Sequence, residues 1–218
     1  MEAPALPILY SFRRCPYAMR ARMSILSAGI RCELREVVLR EKPAEMISIS
    51  PKATVPVLEL LDGTIIDESI DIMKWALTQR DPENWLKPSN SKLNGALSFV
   101  GETEIQFKSH LDRYKYPNRY DDSNPIQHRT ECCKFIAQLE TKLAKTPYLF
   151  GADVCIADIA VFPFIRQFAN TDRNWFNNLP YRHTQKWLDK LLKGKLFDIA
   201  MKKYPQWQSG NNLVFFPE

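Results

Sequence analysis

The sequence lacks the features of a disulfide-stabilised or metal-bound protein. Its 218 residues contain five cysteines, an odd number, of which Cys132 and Cys133 are adjacent. No Cys-x-x-Cys pair and no group of cysteine and histidine has the spacing of zinc ligands. We therefore expect neither a disulfide framework nor a metal site, and we expect most of the thiols to be small buried hydrophobic groups.

Long apolar runs and blocks of like charge are also missing. The longest apolar run, Ile159 to Ile165, is far shorter than the roughly 20 residues of a membrane helix. The 30 basic and 25 acidic residues are interspersed, so the net charge of +5 does not by itself indicate nucleic-acid binding. Residues Met1 to Pro4 carry no secretory signal pattern. We expect a cytoplasmic protein whose partners include neither a membrane nor a nucleic acid.

Residues 1–80 alternate between strand and helix patterns. Apolar or alternating stretches predict strands, and an apolar residue at every third or fourth position predicts helices. The resulting order is βαβαββα, typical of a small mixed sheet covered by helices in an α/β domain. The predicted strands are Leu6–Phe12, Glu33–Leu39, Val55–Leu60 and Thr64–Ile66, and the predicted helices are Pro16–Ala28, Pro43–Ile49 and Glu68–Gln79.

Residues 81–90 have neither periodicity and contain two prolines, which predicts a linker. From residue 91 to 218 nearly every periodic segment is helical, so we expect a second, all-α domain. Its predicted helices are Leu93–Tyr114, Pro125–Ala144, Ile156–Phe168, Tyr181–Leu192 and Lys195–Met201.

The sharpest local motif is Cys15-Pro16-Tyr17-Ala18, which places a thiol at the start of a helix. Backbone N–H groups and the helix dipole favour an anion there, so the thiolate should form more readily than in a free cysteine. The alternative is a buried structural cysteine in a loop. Position 18 holds no second cysteine, so a mixed disulfide at Cys15 needs an outside thiol, and glutathione is the obvious candidate.

Two further motifs suit a peptide ligand. Pro56 begins a strand that otherwise appears central to its sheet, and a cis Val55-Pro56 bond would leave the Val55 backbone to pair with an extended peptide. The alternative is a trans proline on an edge strand. Asp67-Glu68-Ser69 opens the next helix, where N–H groups and a hydroxyl could hold a carboxylate, although such residues also serve as ordinary caps.

Together these residues resemble the glutathione transferase superfamily over essentially the whole chain, and most closely its omega-type and glutaredoxin-like members with a catalytic cysteine. The resemblance implies a thioredoxin-like, glutathione-binding domain at 1–80, glutathione as cosubstrate and a homodimer. It also implies a role for each matched position: Cys15 as the reacting thiol with Tyr17 beside it, Val55 and Pro56 at the cysteinyl backbone, Glu68 and Ser69 at the γ-glutamyl end, and Lys42 near the glycine carboxylate.

The helical half fits the same resemblance through Gly151 to Asp158, which is similar to the family's buried capping box. Cys155 stands where the family usually has Ser or Thr, and a thiol is a poorer acceptor, so the cap should be weaker. We expect Asp158 to be structural. Four aromatic residues could line a substrate pocket or fill the helical core, with the core favoured: Phe107, Tyr114, Phe168 and Trp175.

These features favour a glutathione-dependent thiol transferase that acts on small-molecule or protein disulfides, dehydroascorbate or similar electrophiles. One alternative is conjugation of glutathione to hydrophobic electrophiles, for which Tyr10, Ser11 and Tyr17 offer hydroxyls. The other is a binding module that has the fold without catalysis.

Overall fold

A computed structural model describes residues 5–121 and 124–218. The first four residues, on which the expectation about a secretory signal depends, lie outside the described residues. The chain forms two compact units. The first unit extends to Pro82 and is completed by Gly194–Glu218, and the second unit is Glu83–Lys193.

The first unit confirms the predicted βαβαββα order. The observed elements are β1 (Ile8–Ser11), α1 (Pro16–Ser27), β2 (Cys32–Glu36), α2 (Ala44–Ile49), β3 (Val57–Glu59), β4 (Ile65–Ile66) and α3 (Ser69–Gln79). Strand β1 pairs in parallel with β2 and antiparallel with β3, which in turn pairs antiparallel with β4.

The two faces of the sheet bury separate apolar clusters, because successive side chains of a strand point to opposite faces. One cluster combines strand residues with α1 and α3, and includes Leu9, Leu34, Leu58, Ala21, Ile25, Ile72 and Ala76. The other combines strand residues with α2, and consists of Tyr10, Val37, Met46, Val55 and Val57. The sheet is therefore covered on both sides, as the sequence predicts.

All the described secondary-structure elements of the second unit are helices or helical turns. The first predicted helix is present but includes a π-helical turn at Thr103–Lys108, and the short α8 was not predicted. The observed elements are α4 (Leu93–Glu102), the π-helical turn, α5 (Ser109–Lys115), a 3₁₀ turn (Pro117–Arg119), α6 (Pro125–Leu143), α7 (Ile156–Ala169), α8 (Arg173–Asn177) and α9 (Arg182–Leu192).

Aromatic side chains fill the interior of this helical unit. Phe107, Tyr114 and Phe168 are buried, and the Phe168 ring contacts both of the others at centroid distances of 5.6 Å. The Trp175 and Phe168 rings pack in a T-shaped arrangement with centroids 5.9 Å apart. The burial confirms Phe107, Tyr114 and Phe168 as core, whereas Trp175 is half-buried and packs against them.

Asp158 organises the start of α7 from a fully buried position. Its carboxylate accepts hydrogen bonds from the Cys155 backbone N–H at 3.0 Å and the Leu149 N–H at 2.9 Å. The indole Nε1 of Trp187 donates to the same carboxylate at 2.8 Å. These bonds confirm that Asp158 has a structural role, with the acid half of the capping box formed as predicted.

The end of the chain returns to the sheet, which corrects the expectation that residues 91–218 are purely helical. Helix α10 (Lys195–Ala200) is followed by β5 (Phe215–Phe216), which pairs antiparallel with β2. The sheet order is β4-β3-β1-β2-β5, so the last strand covers an edge that the βαβαββα segment leaves open. Across the described ranges, no helix is long and apolar enough to span a membrane.

Candidate active site

Cys15 is the N-cap residue of α1, in an extended backbone conformation with φ −74° and ψ 125°. Its N–H donates to the Phe12 carbonyl at 2.9 Å, which closes the turn between β1 and α1. Pro16 occupies the first turn, and no acidic residue is present there. The half-buried thiol therefore lies at the positive end of a 12-residue helix.

The Val55-Pro56 peptide bond is cis, as the sequence predicts. The alternative of a trans proline on an edge strand is wrong, because β3 lies between β1 and β4. The Cys15 Sγ donates to the Val55 carbonyl oxygen at 3.7 Å. This contact places two of the predicted site positions, 40 residues apart in sequence, side by side.

Ser69, at the start of α3, accepts hydrogen bonds from Arg20 of α1, which was not among the predicted site residues. The Nε and Nη2 atoms of Arg20 donate to the Ser69 Oγ at 3.0 and 2.8 Å. Arg20 is only 1% exposed, and its guanidinium lies 4.9 Å from the centre of the Tyr17 ring. The two N–H donors occupy the lone pairs of the Ser69 hydroxyl and leave its O–H as a donor.

Glu68 is the N-cap residue of the same helix, and its exposed side chain makes no capping hydrogen bond. Its carboxylate pairs with the Lys52 Nζ at 2.6 Å, and that ammonium also lies 3.4 Å from Asp67. The hydroxyl of Ser50 donates to Asp67 at 3.0 Å. Hydrogen bonding to Glu68 raises the pKa of Lys52. These contacts connect the start of α3 to the loop that leads into Val55. Lys52 was not among the predicted site residues.

Lys42 is exposed immediately before Pro43, the N-cap of α2. The structure thus brings Cys15 to Val55 directly, and brings Tyr17 and Ser69 together through Arg20. Lys42 is not joined to these residues by a described hydrogen bond or ion pair.

The other four cysteines differ from Cys15 in their surroundings. Cys32, Cys132 and Cys155 are buried, and burial raises the pKa of the Cys32 thiol to about 12. Burial also raises the pKa of Cys132, Cys155 and the half-buried Cys133. In the described part of the chain, no three histidine, cysteine or acidic side chains are grouped to hold a metal ion.

Comparison with known proteins decides the family. The family model described as "Glutathione S-transferase, N-terminal domain" matches residues 9–85, and "Glutathione S-transferase, C-terminal domain" matches residues 127–207. The chain belongs to the glutathione S-transferase family. The transferase is 27% identical to glutathione S-transferase omega-1 of Rattus norvegicus over 199 residues, which cover 90% of this chain and 77% of the relative. The omega-like resemblance is confirmed.

Solved structures agree with the fold of the transferase. A Pseudomonas fluorescens family member, solved with two glutathione molecules bound, has a TM-score of 0.78 at 16% identity, covering 92% of this chain and 94% of that chain. Glutathione transferase Omega 3C of Trametes versicolor has a TM-score of 0.75 at 21% identity, covering 89% and 84%. Glutathione is the co-substrate of the family, and family membership supports glutathione-dependent transfer as the class of activity.

Proposed function

We propose that this transferase is a glutathione-dependent thiol transferase in which Cys15 is the nucleophile. The observation that carries the proposal is the half-buried Cys15 thiol at the start of α1, beside the Val55 carbonyl and the cis proline. A helix N-terminus favours the thiolate over the thiol. The four remaining cysteines have raised pKa values, which makes each a poorer nucleophile near neutral pH.

The proposed reaction has two thiol–disulfide exchanges. The Cys15 thiolate attacks the glutathionyl sulfur of a mixed disulfide, a new Cys15–glutathione disulfide forms, and the other thiol leaves as a thiolate. A second glutathione thiolate then attacks this disulfide, which yields oxidised glutathione and restores the Cys15 thiolate. The net reaction converts one mixed disulfide and one glutathione into one thiol and one glutathione disulfide.

The residues near Cys15 suit the three parts of glutathione. The backbone of Val55, set by the cis Pro56, can pair with the cysteinyl residue. The Ser69 O–H and the start of α3 can donate to the γ-glutamyl carboxylate, with the Arg20 charge behind them. Three exposed or half-buried side chains complete the proposed set: Tyr17, Lys42 and Glu68.

Conjugation to hydrophobic electrophiles is the weaker proposal, because two of its three candidate hydroxyls are enclosed. Ser11 is fully buried, and the buried Tyr10 hydroxyl accepts a hydrogen bond from Arg35. Burial raises the pKa of Tyr10, which opposes its ionisation. Tyr17 is the remaining candidate. The position of the Cys15 thiol, at the start of α1 and beside the Val55 carbonyl, likewise favours an enzyme over a binding module without catalysis.

We further propose a cytoplasmic protein whose second substrate is a small-molecule or protein disulfide, dehydroascorbate or a similar electrophile. Residues 1–80 are proposed as the glutathione-binding domain. A homodimer stays a prediction from the family, and light scattering of the purified chain would measure it.

Trapping the proposed intermediate tests the function. We expect the purified transferase, incubated with glutathione disulfide, to gain one glutathione at Cys15, as located by peptide mass spectrometry. Added glutathione should remove the adduct and release glutathione disulfide in equal amount. The four other cysteines serve as internal controls, because their pKa values are raised. Turnover without an adduct, or an adduct at Cys133 instead, would contradict the proposal.

The Ser69→Ala substitution tests the γ-glutamyl site. We expect the KM for glutathione to rise about tenfold with kcat within about twofold, because one hydrogen bond between an uncharged donor and a carboxylate is lost. Ser48→Ala is the matched control, since the Ser48 hydroxyl is exposed and donates only to the Glu45 carbonyl of its own helix. Steady-state kinetics with a glutathione mixed disulfide measure both variants. Equal KM values for Ser69→Ala and Ser48→Ala would remove Ser69 from the site.

A further inference from the structure

A buried carboxylate supports the loop that carries Cys15. Glu36 ends β2 opposite Ser11, the last residue of β1, and is only 9% exposed. Its Oε1 accepts a hydrogen bond from the Arg13 backbone N–H at 2.7 Å. Arg13 stands two residues before Cys15, inside the turn that the Cys15 N–H to Phe12 carbonyl bond closes. The Glu36 side chain therefore stabilises this turn, although Glu36 and Arg13 are 23 residues apart in the sequence.

The second oxygen of the same carboxylate connects the turn to helix α1. The Glu36 Oε2 lies 3.5 Å from an Nη of Arg22, whose side chain is completely buried. The Arg22 guanidinium also lies 5.5 Å from the ring centre of Tyr204 and 5.2 Å from that of Phe216. Glu36 thus bridges the backbone before Cys15 and the helix that follows Cys15.

The C-terminal segment, Met201–Pro217, also contacts Glu36 and the turn before Cys15. The Trp207 N–H donates to the Glu36 carbonyl at 2.9 Å, and an Nη of Arg13 donates to the Met201 carbonyl at 3.4 Å. Strand β5 pairs with β2, the strand that Glu36 ends. The rings of Trp207 and Tyr10 pack in a T-shaped arrangement with centroids 6.2 Å apart. This segment therefore contacts the turn through the Met201 carbonyl and contacts the neighbouring strand ends through Trp207.

We propose that Glu36 is a positioning residue for Cys15, kept in place by the C-terminal segment. The inference depends on the proposed function only in taking Cys15 as the reacting thiol. Without the Glu36 carboxylate, the Arg13 N–H loses its acceptor and Arg22 loses its counter-charge. The turn then no longer fixes the thiol against the Val55 carbonyl and the start of α1. A small displacement of a reacting group is enough to slow a reaction substantially.

Three variants of the full-length transferase test this role: Glu36→Ala, Glu36→Gln and the control Glu59→Gln. Glu59 also ends a strand of the sheet, but it pairs with Ile8, at the end of β1 away from the cysteine turn. The direct readout is the rate of Cys15 alkylation by iodoacetamide across a pH series, followed by peptide mass spectrometry. The thermal midpoint, the kcat and the KM for glutathione are also measured for each variant.

We expect Glu36→Ala to slow Cys15 alkylation at pH 7, and kcat with it, by about tenfold to a hundredfold. The KM for glutathione should stay within about twofold, because the Val55 and Ser69 contacts remain. Glu36→Gln should recover a large part of the alkylation rate, since an amide oxygen can still accept from the Arg13 N–H. The control should match the unmodified protein in every readout.

The outcomes separate positioning from stability and from the proposed function. A lower thermal midpoint with an unchanged alkylation rate in Glu36→Ala would overturn the inference and leave Glu36 as a purely structural residue. Should Glu36→Ala not fold, a lower thermal midpoint in Glu36→Gln with an alkylation rate equal to that of the unmodified protein would overturn it as well. If the unmodified protein shows no thiol transfer while alkylation still slows in Glu36→Ala, the proposed function fails and the positioning role stands.

Discussion

Replacing Cys15 with serine is expected to lower thiol-transferase turnover by about three orders of magnitude or more, because a serine hydroxyl is a poor nucleophile at neutral pH and has no sulfur with which to form a disulfide. Turnover is measured with a glutathione mixed disulfide and, separately, with dehydroascorbate. The thiol is half-buried, and its described hydrogen bond is a weak one to the Val55 carbonyl at 3.7 Å. The thermal midpoint and the affinity for glutathione should therefore change little.

Cys133→Ser provides the matched control for this loss. Cys133 is also half-buried, but it lies within α6, and burial raises its pKa. We expect this variant to keep full turnover. If Cys15→Ser retained the activity, the nucleophile would be elsewhere. Conjugation of a chloronitrobenzene that survives Cys15→Ala but not Tyr17→Phe would instead favour the conjugating transferase.

The sequence predicts most elements of the fold because their signals are local. Apolar strands and helix-spaced residues locate β1 to β4 and the long helices with shifts of a few residues at their ends. Strand β5 has no such signal, since Phe215 and Phe216 form a strand only by pairing with β2. Helix α8 is too short for a periodic pattern, although Asp172 before it accepts from the Trp175 N–H as a cap and could have indicated its start.

The site residues also differ in whether the sequence around each one identifies it. The thiol at a helix start and the proline at a strand start are each visible within a few residues, so Cys15 and Pro56 could be predicted. Arg20 could not, because its partner Ser69 lies 49 residues away. Arg22 likewise pairs with Glu36 of another element, and α1 buries nine of its 12 residues, so neither arginine reaches solvent.

Replacing Asp158 with alanine is expected to lower the free energy of unfolding by about 3–5 kcal/mol, because several buried donors lose their acceptor and each unsatisfied donor costs about 1–3 kcal/mol. The variant leaves four buried donors without their acceptor: the N–H groups of Leu149 and Cys155, the Cys155 thiol and the indole N–H of Trp187. The shift of the midpoint in urea denaturation, together with the slope of the transition, measures the loss.

Asp153→Ala is the control for this prediction, because Asp153 lies in the loop just before α7 and is exposed, and exposed substitutions usually change stability by less than about 0.5 kcal/mol. The stability loss of Asp158→Asn should lie between those of Asp158→Ala and Asp153→Ala. Its amide keeps one acceptor oxygen, but its NH₂ group faces buried groups that are themselves donors. Below its unfolding temperature, Asp158→Ala should still alkylate at Cys15 at the unmodified rate, because Asp158 acts on the helical unit alone. An unchanged urea midpoint would contradict the structural role, and a slowed Cys15 with an unchanged midpoint would mean that Asp158 acts on the thiol.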